Sequence, residues 1–171
     1  FIYAVAQDEV RRLNPTGLDV LTREGQWPVV GDLTRNVDAE PSFFRDITVS
    51  GNGIYHILDS ERGRIFTYDD RGNLLYVFGG KGTNVGSFSR PRAIANLGDR
   101  LLVLDEQRGQ ITIFEPTEYA RLISLANHHY MLGNFEESTE AWRQVLTLNN
   151  HFALAYDGLG MAKLRQRDYA G

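Results

Sequence analysis

The chain lacks cysteine altogether, and it also lacks long apolar runs and any excess of basic charge. Without cysteine there can be no disulfide, no thiolate nucleophile and no cysteine-bound zinc. No apolar run approaches the roughly 20 residues that a membrane-spanning helix needs. The net charge is −4, and the sequence has no basic stripe of the kind that binds phosphate backbones. The negative net charge and the lack of a basic stripe argue against a nucleic-acid partner, RNA included.

The composition is otherwise that of an ordinary globular protein. Of the 171 residues, 42% are hydrophobic and 23% are charged, so the chain can bury a core of its own. It opens on Phe1 and reads as a strand from there. We therefore expect parts of a longer protein, including any signal or membrane anchor, to lie outside it. Membrane association would come only through such missing segments.

None of the common catalytic or ligand-binding motifs is present in the sequence. The four histidines form no His-Glu-x-x-His pair, and the adjacent His128 and His129 would diverge by about 100° on a helix. The glycine-rich residues 79–83 lack the spacing of a phosphate-binding loop, and no helical pattern follows them. Asp69 and Asp70 lack the spacing of a calcium loop. The sequence predicts no metal, no other cofactor and no catalytic residue.

Apolar runs bounded by turn-forming residues recur along the first two thirds of the chain. The run Gly53–Asp59 is similar to Asp99–Asp105, and Gly63–Tyr68 is similar to Gly109–Phe114, each pair 46 positions apart. A partial third copy opens the chain. Such runs predict antiparallel hairpins, and a period of about 45 residues with four strands is typical of a propeller blade. The predicted strands are near 46–50, 53–58, 64–69 and 74–78, and then near 93–96, 100–105 and 110–114.

Two aspartates recur at the end of the same predicted strand. Asp59 and Asp105 could bind a metal or transfer protons. A residue repeated by the fold usually serves the fold, however. We therefore predict that both carboxylates accept hydrogen bonds from turn amides, as in Asx turns. The glycines among residues 79–82 are expected to supply positive φ angles in a loop between two blades.

The residues from Ile54 to Ile94 resemble an NHL repeat. Elements of that family's pattern stand at Asp59-Ser60, Gly63, Phe78-Gly79-Gly80-Lys81-Gly82 and Pro91. The resemblance implies that residues 1–116 are about two and a half blades from the C-terminal part of an NHL-type β-propeller. It also implies that the last blade, which lacks a fourth strand, is completed alongside 110–114 by a strand from the absent N-terminal part.

The resemblance to NHL propellers also leaves open an alternative function, that of an enzyme. Some related propellers are metal-dependent lactonases or lyases, with the metal held at one end of the central channel. The innermost strands would here offer Asp46, Thr48 and Asn96 to such a channel. These residues are too few for a complete site, so the missing blades would have to supply most of it.

From Thr117 onward the apolar spacing becomes helical. Gly133 is expected to end a first helix, and Asn134 with Glu137 to form a capping box for a second. Phe135 recurs as Tyr169 after 34 positions. The predicted packing face of the first helix is Leu122, Leu125, Ala126 and His129, and that of the second is Phe135, Ser138, Trp142 and Val145.

Residues 119–152 are similar to a tetratricopeptide repeat, and a second, truncated repeat begins at Ala153. The resemblance implies that residues 117–171 are the start of an α-helical tetratricopeptide-like solenoid. The predicted fold is therefore a multidomain one, an all-β partial propeller of four-stranded antiparallel blades followed by an all-α unit.

Both resemblances imply a non-enzymatic scaffold that binds a protein or peptide. In tetratricopeptide solenoids the first helix of each repeat lines the peptide-binding face. Ile123 stands where carboxylate-binding members of the family have lysine, so we expect a mixed apolar face suited to an amphipathic or extended peptide. The resemblance further implies a bacterial protein of the cell envelope. The residues predicted on this face are Ile123, Asn127, Tyr130, Met131, Asp157, Met161 and Leu164.

Overall fold

The computed structural model of the protein describes residues 1–6, 9–21 and 42–166. The chain divides into two compact units, Phe1–Glu115 and Pro116–Gly171. In the described residues the first unit contains nine antiparallel strands and the second contains three helices. This order is the one predicted from the change of apolar spacing after Phe114.

The strands of the first unit form three antiparallel sheets of two, four and three strands. In each sheet a strand pairs with its neighbour along the chain, so the described residues contain hairpins and no crossover. Positive φ angles at turn glycines such as Gly53 and Gly72 allow the chain to reverse. The strands are β1 Ile2–Ala6, β2 Glu9–Leu13, β3 Phe44–Val49, β4 Tyr55–Asp59, β5 Arg64–Tyr68, β6 Leu74–Gly79, β7 Pro91–Leu97, β8 Arg100–Asp105 and β9 Gln110–Phe114.

The sequence repeat is also a repeat of strand pairing. Tyr55 pairs with Tyr68 between β4 and β5, and 46 residues later Leu101 pairs with Phe114 between β8 and β9. The pairing of the preceding strand shifts register opposite Asp59 and again opposite Asp105. The seven strands predicted between residues 46 and 114 are confirmed, with ends displaced by at most two residues.

Apolar side chains cover both faces of the four-stranded sheet. Because side chains alternate along a strand, β4 and β5 contribute to a separate cluster on each face. One cluster lies toward the first sheet and consists of Val10, Leu21, Phe44, Tyr55, Ile57, Phe66 and Tyr68. The other lies toward the third sheet and consists of Leu58, Ile65, Phe88, Ile94, Leu101 and Val103. Burial on both faces makes the four-stranded sheet the centre of this unit.

A histidine is buried within the four-stranded sheet. His56 is 7% exposed, and its Nδ1 lies 2.9 Å from the hydroxyl of Thr67 on the neighbouring strand. The hydroxyl of Tyr76 is also hydrogen-bonded to Thr67. Burial lowers the pKa of His56 from 6.5 to about 4, because the imidazolium form would lose its hydration. His56 is therefore a neutral core residue near neutral pH.

The second unit consists of helices α1 Glu118–Leu132, α2 Phe135–Leu148 and α3 Ala153–Gln166. The Thr117 side chain accepts a hydrogen bond from the Ala120 amide at the start of α1. Gly133, with φ of 80°, ends α1 as predicted. The capping box predicted for α2 is wrong, because Asn134 occupies the N-cap without making a side-chain cap bond. None of the described helices is both long and apolar enough to cross a membrane.

The buried face of α1 agrees with the predicted one only in part: Ala126 is buried as predicted, but Leu122 and His129 are half-buried. Ile123 and Ala126 are fully buried, whereas Leu125 is 45% exposed. The hydroxyl of Ser138 donates to the Ala126 carbonyl at 2.9 Å, so these two small residues bring α1 and α2 close together. That contact turns Ile123 rather than Leu125 toward the core. The predicted faces of α2 are confirmed for Ser138, Trp142 and Val145, which are buried, and Phe135 is half-buried. Tyr169 lies outside the described residues.

Helices α2 and α3 meet at a glycine. A Cβ atom on Gly158 would overlap the indole ring of Trp142, whereas one on Gly160 would meet nothing within 4 Å. Gly158 is buried and Gly160 is exposed on the same helix. The absence of a side chain at Gly158 therefore sets how closely α3 approaches α2.

The two glycines provide a matched test of this contact. We expect Gly158→Ala to destabilise the helical unit by about 1–3 kcal/mol, because the methyl group must displace Trp142. Gly160→Ala should instead stabilise it by about 0.5–1 kcal/mol, since alanine is the better helix former. Urea unfolding followed by helical circular dichroism would measure both. Equal effects of the two substitutions would contradict the contact.

The burial of His56 predicts a pH-dependent stability of the sheets. Between its ordinary pKa and the lowered folded value, the unfolded chain binds a proton that the folded chain does not. Stability should therefore fall as the pH drops through this window, by about 3 kcal/mol at most. His56→Leu, which introduces the residue found at the repeat-equivalent position 102, should remove this component. Amide hydrogen exchange in β4 and β5 near pH 7 and about pH 4 would measure it. An unchanged pH dependence in the variant would contradict the account.

Candidate functional site

The residues predicted to bind a peptide lie on α1 and α3, which both pack against α2. Met131 and Leu164 are 53% and 61% exposed. Asp157 is exposed as well, and Met161 is half-buried. By helical spacing Asp157, Met161 and Leu164 share one side of α3. Met131, Met161 and Leu164 are thus at least partly accessible apolar residues of the helical unit, and Asp157 is an accessible carboxylate.

The other three predicted residues are engaged within the unit. Ile123 is fully buried, so the prediction that its side chain faces a peptide is wrong. Asn127 donates its side-chain amide to the Ile123 carbonyl at 3.1 Å. The ring of Tyr130 packs edge-to-face on Phe135, with centroids 5.5 Å apart. Asn127 and Tyr130 are half-buried and could contact a ligand only with part of their surface.

The two recurring aspartates of the sheets are structural, as predicted. Asp59 Oδ1 accepts from the amides of Phe43, Glu61 and Arg62 at 3.2, 2.9 and 3.1 Å. The Asp105 carboxylate accepts from the amides of Ser89, Arg90 and Arg108 at 2.7, 3.2 and 3.2 Å. Each carboxylate thus joins the segment before its sheet to the turn after the second strand. Both are fully buried.

The charge state of Asp105 follows from these bonds. Burial acts to raise its pKa, but the three amides and the nearby Arg108 guanidinium outweigh it and hold the pKa below the ordinary value. The carboxylate is therefore ionised near neutral pH and accepts three backbone amides. A group held in this way is a poor proton donor and has little capacity left for a metal ion.

Sequence reasoning missed the role of Arg108. Its Nε donates to the Ser89 hydroxyl at 2.9 Å, and its two terminal nitrogens donate to the carbonyls of Ser87 and Gly82. Arg108 therefore anchors the loop between β6 and β7. A signal was present, because Asp-x-x-Arg occurs at residues 59–62 and again at 105–108.

The glycine-rich residues 79–83 belong to that loop. Gly79 and Gly82 have φ angles of 85° and 146°, which confirms the predicted need for glycine. The Phe88 amide donates to the Gly80 carbonyl at 2.8 Å, and the Gly82 amide donates to the Phe88 carbonyl at 3.1 Å. The loop is thus closed by its own backbone bonds and does not begin a helix. This arrangement differs from a phosphate-binding loop.

Of the three residues predicted to line a channel, Asp46 is held by the fold, whereas the side-chain nitrogen of Asn96 is buried without a hydrogen-bond partner among the described residues. Asp46 Oδ2 accepts from the Ile94 amide at 2.8 Å, and its Oδ1 accepts from the Ile47 amide at 2.9 Å. Asp46 therefore links β3 to β7. In the described ranges, no three histidine, aspartate or glutamate side chains come together in a way that could hold a metal ion.

Comparison with known proteins adds no relative to this description. No protein-family model matches the chain, and no curated protein matches its sequence. The NHL and tetratricopeptide resemblances therefore stay predictions.

Proposed function

We propose that the chain is a non-catalytic binding scaffold, built from part of an NHL-type β-propeller and the start of a tetratricopeptide solenoid. The propeller assignment is supported by the in-register repeat of antiparallel pairing every 46 residues. The solenoid assignment is supported by three successive helices, each packed on the next, and by the contact between Ala126 and Ser138. Both architectures present large preformed surfaces to partners.

The binding role is supported by a contrast between the buried carboxylates of the sheets and the exposed apolar side chains of the helices. The carboxylates best placed for chemistry, Asp46, Asp59 and Asp105, accept backbone amides. Met131 and Leu164, by contrast, are more than half exposed. Exposed apolar residues on a repeat surface are the usual basis of peptide recognition, and methionine adapts to different ligand shapes.

The chemistry of this surface defines the partner. An amphipathic or extended peptide with apolar side chains fits Met131, Met161 and Leu164. Asp157 would favour a basic residue in the same peptide, through charge complementarity at the rim. A free C-terminal carboxylate is a poorer ligand, because Ile123 occupies the lysine position and is buried. The net charge of −4 also disfavours a nucleic acid.

The proposal predicts which substitutions weaken peptide binding. A displayed library of amphipathic peptides would provide ligands for the 171-residue chain, and calorimetry would measure their affinities. We expect Met131→Glu combined with Leu164→Glu to weaken binding at least about tenfold, since each loses an apolar contact and gains a charge. Leu148→Glu is the matched control, because Leu148 is 50% exposed on α2, outside the proposed face.

Two outcomes would contradict the proposed function. If the selected peptides lose affinity for the Leu148→Glu variant but bind the double variant unchanged, the binding surface lies outside the proposed face. A stoichiometric divalent metal with lactone hydrolysis would favour the metal-dependent enzyme instead.

A further inference from the structure

The sulfur atoms of these 171 residues all belong to two methionines in the helical unit. The sequence has no cysteine, and its methionines are Met131 and Met161. Met131 lies on α1 and is 53% exposed, whereas Met161 lies on α3 and is half-buried. Both are among the residues that we propose to bind a peptide. Any oxidation at sulfur in this sequence therefore changes a proposed binding residue.

Met131 is accessible although it lies beside a packed part of α1. The preceding residue, Tyr130, stacks its ring edge-to-face on Phe135 of α2. Asn127, one helical turn earlier on the same side of α1, is half-buried. The Met131 side chain is nevertheless more than half exposed, one residue before the helix ends at Leu132. A dissolved oxidant can therefore reach this side chain without unfolding the helix.

We propose that Met131 is a site of reversible oxidation by hydrogen peroxide, and that the sulfoxide form of Met131 releases the bound peptide. This inference rests on the proposed function, because it concerns the regulation of the same residues. One oxygen atom passes from the peroxide to the thioether sulfur. The O–O bond breaks, an S–O bond forms, the sulfur loses two electrons and water leaves. A methionine sulfoxide reductase reverses the change at the expense of two thiols, which become a disulfide as water leaves.

The sulfoxide opposes peptide binding through its polarity. The thioether of methionine is flexible and apolar, and it adapts to the side chains of different ligands. The S=O group is polar and hydrated. An apolar peptide side chain that covers it removes its water without replacing the lost hydrogen bonds. We therefore expect the affinity of the oxidised chain to be lower by at least about fivefold.

Graded treatment of the 171-residue chain with hydrogen peroxide tests the proposal. The probe is an amphipathic peptide selected from the displayed library on the untreated chain. Mass spectrometry would measure sulfoxide at each methionine, calorimetry the affinity, and circular dichroism the helix content. We expect Met131 to oxidise before Met161, and bound peptide to slow its oxidation. The affinity should fall with the fraction of Met131 sulfoxide and return after reductase treatment, at constant helix content.

Three variants separate Met131 from the rest of the chain, each compared with itself before and after peroxide. Met131→Leu has no sulfur at this position, so its affinity should not respond to peroxide, whatever its starting value. Met161→Leu should still respond, because Met131 remains. Met131→Gln introduces a polar side chain of similar length, and it should bind the peptide more weakly without any peroxide.

Three results would overturn the proposal, and they differ in what they leave standing. Slower oxidation of Met131 than of Met161 in the folded chain would show that Met131 is not the preferred site. Unchanged affinity after complete conversion of Met131 to the sulfoxide would refute the switch but not the proposed function. Failure of every library peptide to bind the untreated chain would refute both, and it would be seen before any peroxide is added.

Discussion

In each of the two repeated sheets, one buried aspartate joins the chain before the first strand to the turn after the second strand. Asp105 binds the amides that precede β7 and the amide in the turn after β8, and Asp59 does the same around β3 and β4. A buried, unpaired carboxylate would be strongly destabilising, so each must keep these donors. The bonds fix where a sheet begins relative to its second hairpin. The same bonds recur after 46 residues, together with the repeated strand pairing.

The same constraint bears on function. Asp46, Asp59 and Asp105 each accept backbone amides and so tie backbone segments together. Asp46 extends this use between sheets, through its bond to the Ile94 amide. Exposed apolar residues lie on the helices at Met131 and Leu164 and on β9 at Ile111 and Ile113. These features suit the binding of other polypeptides, which is why a scaffold is the function that we propose.

Much of the fold could be predicted from sequence because its signals are local. Turn glycines, alternating apolar residues and the 46-residue repeat located the strands and the hairpins, and Gly133 located the end of α1. The rotation of α1 could not be read in the same way, since it depends on Ser138 reaching the Ala126 carbonyl from another helix. Ile123 was therefore placed on the wrong side. The roles of Arg108 and Asp46 depend on partners 26 and 48 residues distant, which local patterns do not encode.

The central claim is that the recurring aspartate holds its sheet together, and amide hydrogen exchange in Asp105→Ala tests it most directly. Removal of the carboxylate leaves three amides without their acceptor. The account predicts that Ser89, Arg90 and Arg108 exchange at least about tenfold faster, and that β7, β8 and β9 lose protection with them. Glu61→Ala, which removes an exposed carboxylate of the four-stranded sheet, should change none of these rates. Protection of the three amides at the level of the unsubstituted protein would contradict the account.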